Sequence, residues 1–520
     1  MKLKTIHAVA FAYIAVPTLI FSLGMLRPLV GIPVAALVMA SVVSAIRRMR
    51  RNPLKEDDDA VVRIPTLLVL AVLAVGWCIV CGQFEVCFQT WDWHFRNATL
   101  RDLITHSWPV RYPRHSDAAM SFYIGHWLPS ALVGRATMFA TGALETSWRV
   151  ASCCLGVWTA LGVLLAWLLA LARFRARTGW TVTFVISAFV LFSGMGEVLG
   201  RTFLTFKNGA GYCSGPWSEL FQFTPNTELL AWVFHQTVVP WIATLLLLDG
   251  RRSFGHAGLL LALVLLCAPF PAVGLAWILA FLLAAAAHDA LEGKSFRRFL
   301  MSFATFPNIV GFLVVVPVVA AYLVTNSASG SVGPAWIGVH SVSYFVKRWL
   351  LFVVCEVGFY ALFLLPGHRR DPLYWAVFTF LAACPLLKIG ESCDFCMRAS
   401  IPALLVVAVM AAGDVVDLGM RRLRGVALFA GLVVASQIPC SFFGRVVGDT
   451  VKWRSMGASV VRDSIRTYDR DMGEIPIKNN ADRIGVYFTR NMYCENPDDT
   501  FFFRCLARRR YAVLESDERK

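Results

Sequence analysis

Apolar stretches close to twenty residues long alternate with short polar intervals along almost the whole chain. They lie near 8–26, 29–46, 63–82, 150–172, 178–198, 228–249, 257–270, 272–288, 299–325, 348–366, 372–388, 399–416 and 424–441. A helix needs about twenty such residues to cross the hydrocarbon of a bilayer, so the pattern predicts an all-α polytopic membrane protein with about thirteen transmembrane helices. A soluble chain of this length would bury its apolar residues in shorter, periodic segments. The pair around Ala268-Pro269-Phe270-Pro271 allows one long helix broken by prolines or two short helices joined at a turn.

The polar intervals carry the orientation. Basic clusters follow every second apolar run: Arg47-Arg48-Met49-Arg50-Arg51, Arg173 to Arg177, Arg251-Arg252, Lys294 to Arg298, Arg369-Arg370 and Arg421 to Arg424. All six fall on one side, which the positive-inside rule makes the cytoplasm. The N-terminus is then inside, and the intervals 83–149, 199–227, 326–347 and 389–398 and the C-terminal segment are outside. The chain divides into an N-terminal hairpin with its basic loop (1–62), a helical core with a long outer loop at 83–149 (63–441) and an extracytoplasmic segment (442–520). In that last segment the charge is mixed, and Val486-Tyr487-Phe488 and Thr500 to Phe503 are short strand candidates.

Composition agrees with the pattern. The 520 residues are 57% hydrophobic and 16% charged, with a mean hydropathy of +0.61. The net charge of +16 sits in short clusters between apolar runs, so it reads as membrane topology and not as a nucleic-acid surface. The run from Ala8 to Leu26 is followed by Arg27-Pro28 and another apolar run, with no small-residue cleavage site, so no cleavable signal peptide is expected.

The longest polar interval of the first three-quarters, Trp91 to Gly134, gathers Asp92, His94, Arg96, Asp102, His106, Arg111, Arg114, His115, Asp117 and His126 among Trp and Tyr. Ionisable groups and aromatic rings at the edge of an apolar scaffold suit a site acting on a polar substrate at a membrane surface. They equally suit a solvated loop with its aromatics at headgroup level. Within it, Asn97 to His106 predicts a short helix, ended by Pro109 and Pro113, and Met120 to Ala143 a helix lying at the interface. Asn226, Glu228, His235 and Gln236 stand at the mouth of the sixth run, as helix caps and inter-helix hydrogen-bonding groups or as ligand contacts. Asp394 and Arg398 are four residues apart and share a face if helical, as a structural clamp or an anion site.

Of the fourteen cysteines, most lie in apolar runs as small packing residues. Cys393 and Cys396 form a CxxC, but no second pair stands at zinc-ligand spacing, so no metal site is expected. Cys494 and Cys505, both placed outside where oxidation can persist, are expected to form a disulfide, with two free thiols as the alternative. No Walker loop, His-Glu-x-x-His or Gly-x-Ser-x-Gly occurs. No strong twofold repeat of the kind many transporters carry is visible. Asn97-Ala98-Thr99 fits a glycosylation sequon, which matters only in a host that uses it.

Several strings resemble a family of bacterial polytopic membrane proteins. They are Asp92-Trp93, Asn97-Ala98, Arg101-Asp102-Leu103, Trp108-Pro109-Val110 and Tyr123 to Gly134. To these add Phe221-Gln222, Asn226-Thr227, Trp232-Val233-Phe234, Gln236 and the run Asp394 to Pro402. The layout is similar to GT-C glycosyltransferases, in which many spans carry a long first outer loop with an acidic residue just after a span. The resemblance implies a GT-C-like bundle in the bacterial cytoplasmic membrane. It implies transfer of sugar from a polyprenyl-phosphate donor to an envelope glycan, lipid or protein on the outer face. In that family the loop carboxylate is the base or a metal ligand, and Asp92 matches the position; His94 and Asp102 are nearby alternatives. A divalent metal is thereby open as a cofactor, although the usual acidic pair of the metal-dependent members is not evident.

On this reading Arg398 or the loop arginines Arg96 and Arg101 hold the donor phosphate. Trp91, Trp93 and Trp127 stack on sugar or prenyl, and Tyr123, Asn226, Gln236 and Asp394 complete the binding set. The partners are the lipid-linked donor and membrane lipids, not nucleic acid. Two rivals stand beside it. A lipid or polysaccharide transporter would place ionisable residues inside spans, with Glu356 near a span centre and Glu197 toward an outer end. A non-catalytic envelope assembly protein would tolerate loss of Asp92.

Overall fold

The structure is a computed structural model. It describes residues 2–51, 61–90, 92–112, 118–174, 178–196, 198–199, 217–218, 220–327, 332–337, 339, 341–389, 394–455 and 492–509. It is an all-α polytopic bundle. Among the described residues, nine helices are long and apolar enough to cross a membrane. They begin with α1 (Leu3–Met25) and α2 (Pro28–Arg51), and the runs at 63–82 and 178–198 form the shorter α3 (Ile64–Val80) and α7 (Gly179–Leu191). The long outer interval forms α4 (Trp93–Thr105) and α5 (Leu128–Thr141), followed by α6 (Leu144–Arg173). After α7 come α8 (Asn226–Leu247), α9 (Ala257–Leu265) and α10 (Pro269–Glu292). Of the two readings around Ala268, the turn is realised: α9 has nine residues, and Pro269 starts the next helix where its missing N–H costs nothing.

The second half runs through α11 (Phe296–Phe303), α12 (Phe306–Leu323), α13 (Val342–His368), α14 (Pro372–Ala383), α15 (Asp394–Ala399) and α16 (Ile401–Leu418). Then α17 (Leu423–Ala435) passes through Ser436 into α18 (Gln437–Ser455), so the last helical rod extends well beyond the apolar run at 424–441.

Lipid supplies little drive for one apolar helix to associate with another, so close packing of surfaces holds the bundle together. At its centre Trp77 of α3 stacks between Trp167 of α6 (5.7 Å) and Trp241 of α8 (5.9 Å). Stacked pairs of this kind contribute about 0.5–1.5 kcal/mol each beyond their buried area.

The basic loops gather at one end. Arg48 of α2 reaches the Ser302 carbonyl on α11 (3.4 Å) and Arg173 the Leu248 carbonyl (2.7 Å). Nearby, Arg424 and His368 grip Asp414 from opposite sides, each at 3.1 Å.

The opposite end carries the loop structures. β1 (Arg111–Tyr112), β2 (Ala118–Met120) and β5 (Tyr493–Cys494) form an antiparallel sheet, in the register Arg111↔Ala119 and Ala119↔Cys494. The tail therefore docks on the first long loop. It also pairs with the α1–α2 turn, where Arg27 N–H donates to the Leu506 carbonyl at 2.8 Å. A second small pair, β3 (Val332–Pro334) with β4 (Leu387–Ile389), leads into the segment before α15.

Three expectations need correction. The segment 120–143 is not a single helix. Ile124 to Trp127 form a buried 3-10 turn inside the bundle, and α5 returns beside α6. Small residues allow it, since a Cβ on Gly125 would reach Cys267 Sγ at 2.5 Å and one on Gly134 would meet Ile104 at 2.8 Å. Thr500 to Phe503 is helical and not a strand, because Phe502 turns inward against Phe21 (6.1 Å) and Tyr322 (5.1 Å). Val486 to Phe488 lie outside the described residues. Cys494 and Cys505 are free thiols, the first buried in β5 and the second exposed on the helical turn.

Candidate functional site

Two segments far apart in sequence carry the same local device. Asp92 precedes α4, and its carboxylate lies 3.7 Å from Arg96, four residues on. In α15, Asp394 lies 3.2 Å from Arg398, again four residues on. Both read Asp-aromatic-x-x-Arg: Asp92-Trp93-His94-Phe95-Arg96 and Asp394-Phe395-Cys396-Met397-Arg398. Helical geometry puts positions i and i+4 on one face, and the acid at the N-terminal end of α4 suits the helix dipole. In each unit the guanidinium is buried and the carboxylate lies nearer solvent. The arginine side chains are 3% and 7% exposed and their aspartates 32% and 27%.

The units converge on Tyr123. Arg398 donates to its hydroxyl at 2.7 Å and lies 6.0 Å from its ring centroid. Arg96 uses Nε to donate to the Trp232 carbonyl at 3.2 Å, next to the point where α8 breaks its helical geometry at Val233 (φ −134°, ψ 36°). Burial pushes the Arg96 guanidinium below its ordinary value; Asp92 opposes that shift, and Arg398 adds to it by like-charge repulsion. An arginine nevertheless stays charged in a protein. Burial raises the Tyr123 phenol, and Arg398 partly offsets the rise. Two guanidinium groups in one poorly hydrated place repel, and an anion between them would turn that repulsion into two charge-assisted contacts.

Below lies an aromatic floor. The His235 ring stacks on Tyr123 at 5.5 Å with an interplanar angle of 5°, and Trp127 lies 4.5 Å from its other neighbouring side. Neither His235 ring nitrogen has a hydrogen-bond partner; His235 and Gln236 are both fully buried, and the Gln236 amide faces the Tyr123 hydroxyl.

The residues expected from sequence divide into those at this site and those elsewhere. Asp92, Arg96, Tyr123, Asp394 and Arg398 come together, with Gln236 on the adjoining turn of α8. Trp91 lies outside the described residues, and His94 sits on α4. Trp93 is buried against Phe234 at 5.1 Å, and Trp127 is 0% exposed beside His235. Asp102 is fully buried in a structural trio. It accepts from the Tyr112 hydroxyl at 2.8 Å and from Arg101 at 3.1 Å. Asn226 ties α8 to α7 by donating to the Phe189 carbonyl at 2.8 Å. Sequence reading left His235 outside the binding set, although a His-Gln pair inside an apolar run was its signal.

Glu356 occupies a place of its own. It lies in a π turn of α13 (Val354–Gly358), is buried, and accepts from Trp217 Nε1 at 2.6 Å. Gly194 and Gly196 leave the room its carboxylate fills. Glu197 lies outside the described residues. Among the described residues no group of three His, Cys, Asp or Glu side chains could hold a metal ion. No protein-family model, curated protein or solved structure matches this chain.

Proposed function

We propose that this protein is a membrane glycosyltransferase of GT-C-like architecture. It moves a sugar from a polyprenyl-phosphate donor to an envelope glycan, lipid or protein on the outer face of a bacterial cytoplasmic membrane. One observation carries the reading: two buried arginines, each with a carboxylate nearer solvent, converge on one tyrosine at the end of the bundle away from the basic loops. Arg96 and Arg398 hold the donor phosphate, since a planar guanidinium bonds phosphate oxygens in pairs. Asp92 takes the proton of the acceptor hydroxyl as its oxygen attacks the anomeric carbon. The bond from that carbon to the phosphate oxygen breaks, and the leaving prenyl phosphate keeps the electron pair, stabilised by the two arginines.

A divalent metal does not suit these residues. Asp92 and Asp394 each face a guanidinium, whose charge opposes a second cation at the same carboxylate. No step is assigned to a metal.

General-base catalysis contributes about 10²–10⁴-fold in rate. Asp92→Asn keeps the shape and removes the charge, so sugar transfer from a polyprenyl-phosphate donor by the purified protein should fall at least about a hundredfold. Its thermal midpoint should fall only modestly, since Asp92 is partly exposed and stands 3.7 Å from Arg96, and the loss of transfer is read on folded protein. Near-wild-type turnover removes Asp92 as the base and favours transport of the lipid-linked substrate, for which the buried Glu356 is the supporting observation.

A further inference from the structure

Stacked on Tyr123 is a histidine for which the proposed transfer has no use. His235 is 0% exposed, and neither ring nitrogen meets a hydrogen-bond partner. A histidine kept for packing alone would leave polar atoms unsatisfied where a phenylalanine of similar shape would not. Both nitrogens of His235 are therefore open to a partner from outside the chain, whereas the nearby His126 already meets Thr159 through Nε2 at 3.0 Å.

Its surroundings say what that partner is. The ring lies against Tyr123, whose hydroxyl accepts from Arg398. The charges in its neighbourhood are Arg96 and Arg398, with His126 as a third titratable neighbour. The backbone of α8 is distorted at Val233, two residues before it, and Arg96 fastens to the carbonyl of Trp232 on the near side of that break. Local breaks in a helix ladder recur where a side chain must be aimed at a ligand. Imidazole offers at least one N–H donor in either protonation state. A donor beside two guanidinium groups matches an anion with several oxygens on one centre.

We propose that His235 is a ligand-binding residue that donates a hydrogen bond to a phosphate ester oxygen held between Arg96 and Arg398. That the ester is a prenyl phosphate rests on the function proposed above. A phosphate presents oxygens in three directions, so two arginines and an imidazole from three separate helices can each take one. The planar Tyr123 and Trp127 rings hold the imidazole in the orientation that contact needs.

The test uses the full chain in lipid nanodiscs with three probes: a short-chain prenyl phosphate, the matching prenyl alcohol and inorganic phosphate. His235→Phe keeps the ring stacking and removes both nitrogens. It should weaken prenyl phosphate binding by about tenfold or more, the usual effect of losing one hydrogen bond to a charged group, and leave prenyl alcohol binding unchanged. His235→Asn restores a donor and should recover part of the loss. Inorganic phosphate that competes in a His235-dependent way shows that the phosphate alone is read; a lack of competition, with prenyl phosphate still His235-dependent, shows that the lipid-borne ester is. Should either variant fail to fold, nitrogen-labelled wild-type protein decides, because the His235 ring resonances must move on adding prenyl phosphate.

Equal prenyl phosphate affinity in His235→Phe, or ring resonances that do not move, overturns the assignment. Wild-type protein that transfers sugar while His235→Phe binds donor normally refutes this inference and leaves the transferase reading intact. Protein that binds prenyl phosphate through His235 but transfers no sugar has the reverse effect.

Discussion

Asp92 and Asp102 stand on one short helix, and only their surroundings separate their roles. Ten residues place them about 15 Å apart along the axis, one partly exposed and the other fully buried. Asp102 accepts from Tyr112 and Arg101. Removing one member of a buried charged network costs about 3–5 kcal/mol, because its partners are left unsatisfied. Asp102→Ala should therefore lower the thermal midpoint strongly. Asp102→Asn, which keeps an acceptor for Tyr112, should lower it less. Folded protein from either variant should retain most of its transfer activity, in contrast to Asp92→Asn. An unchanged midpoint in Asp102→Ala would show that the trio does not hold the loop together.

At the scale of elements, the position of α15 decides where Arg398 points. This short helix leans on α10, and a Cβ built on Gly274 of α10 would collide with the Ala399 carbonyl oxygen. That carbonyl belongs to the residue following Arg398, and backbone cannot swing aside as a side-chain tip can. Gly274→Ala must push the two helices apart, and overpacking of this kind costs about 1–3 kcal/mol. We expect a lower thermal midpoint together with weaker prenyl phosphate binding, although Gly274 touches no part of the pocket's polar set. Wild-type affinity in a stable Gly274→Ala protein would show that α15 is held in place by other contacts. The π turns in α12 and α13 belong to the same scale; they shift the helix faces that follow them.

For the whole molecule, the two ends of the bundle differ in kind. One end collects the basic loops, and the other carries the paired Asp–Arg units, the small sheet and the docked tail. If the basic end faces the cytoplasm, as the positive-inside rule expects, the Asp–Arg units and the tail lie on the outer side. A periplasmic reporter fused at Lys520 should be active and a cytoplasm-only reporter silent. Activity of the cytoplasmic reporter would reverse both the orientation and the side on which the substrate is met.

The sequence by itself determined the all-helical, multi-pass class, the helices behind most apolar runs and the existence of α4. Each of these depends on residues within one segment, because hydrophobicity and periodicity act locally. The Asp394–Arg398 pair was legible for the same reason, as spacing along one helix sets it. Tertiary structure alone decided that Arg96 and Arg398 come close enough to repel, that Trp93 and Trp127 are buried, and that 124–127 enters the bundle. It alone left His235 without a partner beneath them. Those outcomes depend on how closely helices approach at glycines such as Gly125 and Gly274, and on where a helix such as α8 breaks. A contact between segments distant in the chain leaves no periodic trace in either one, so no local pattern could announce it.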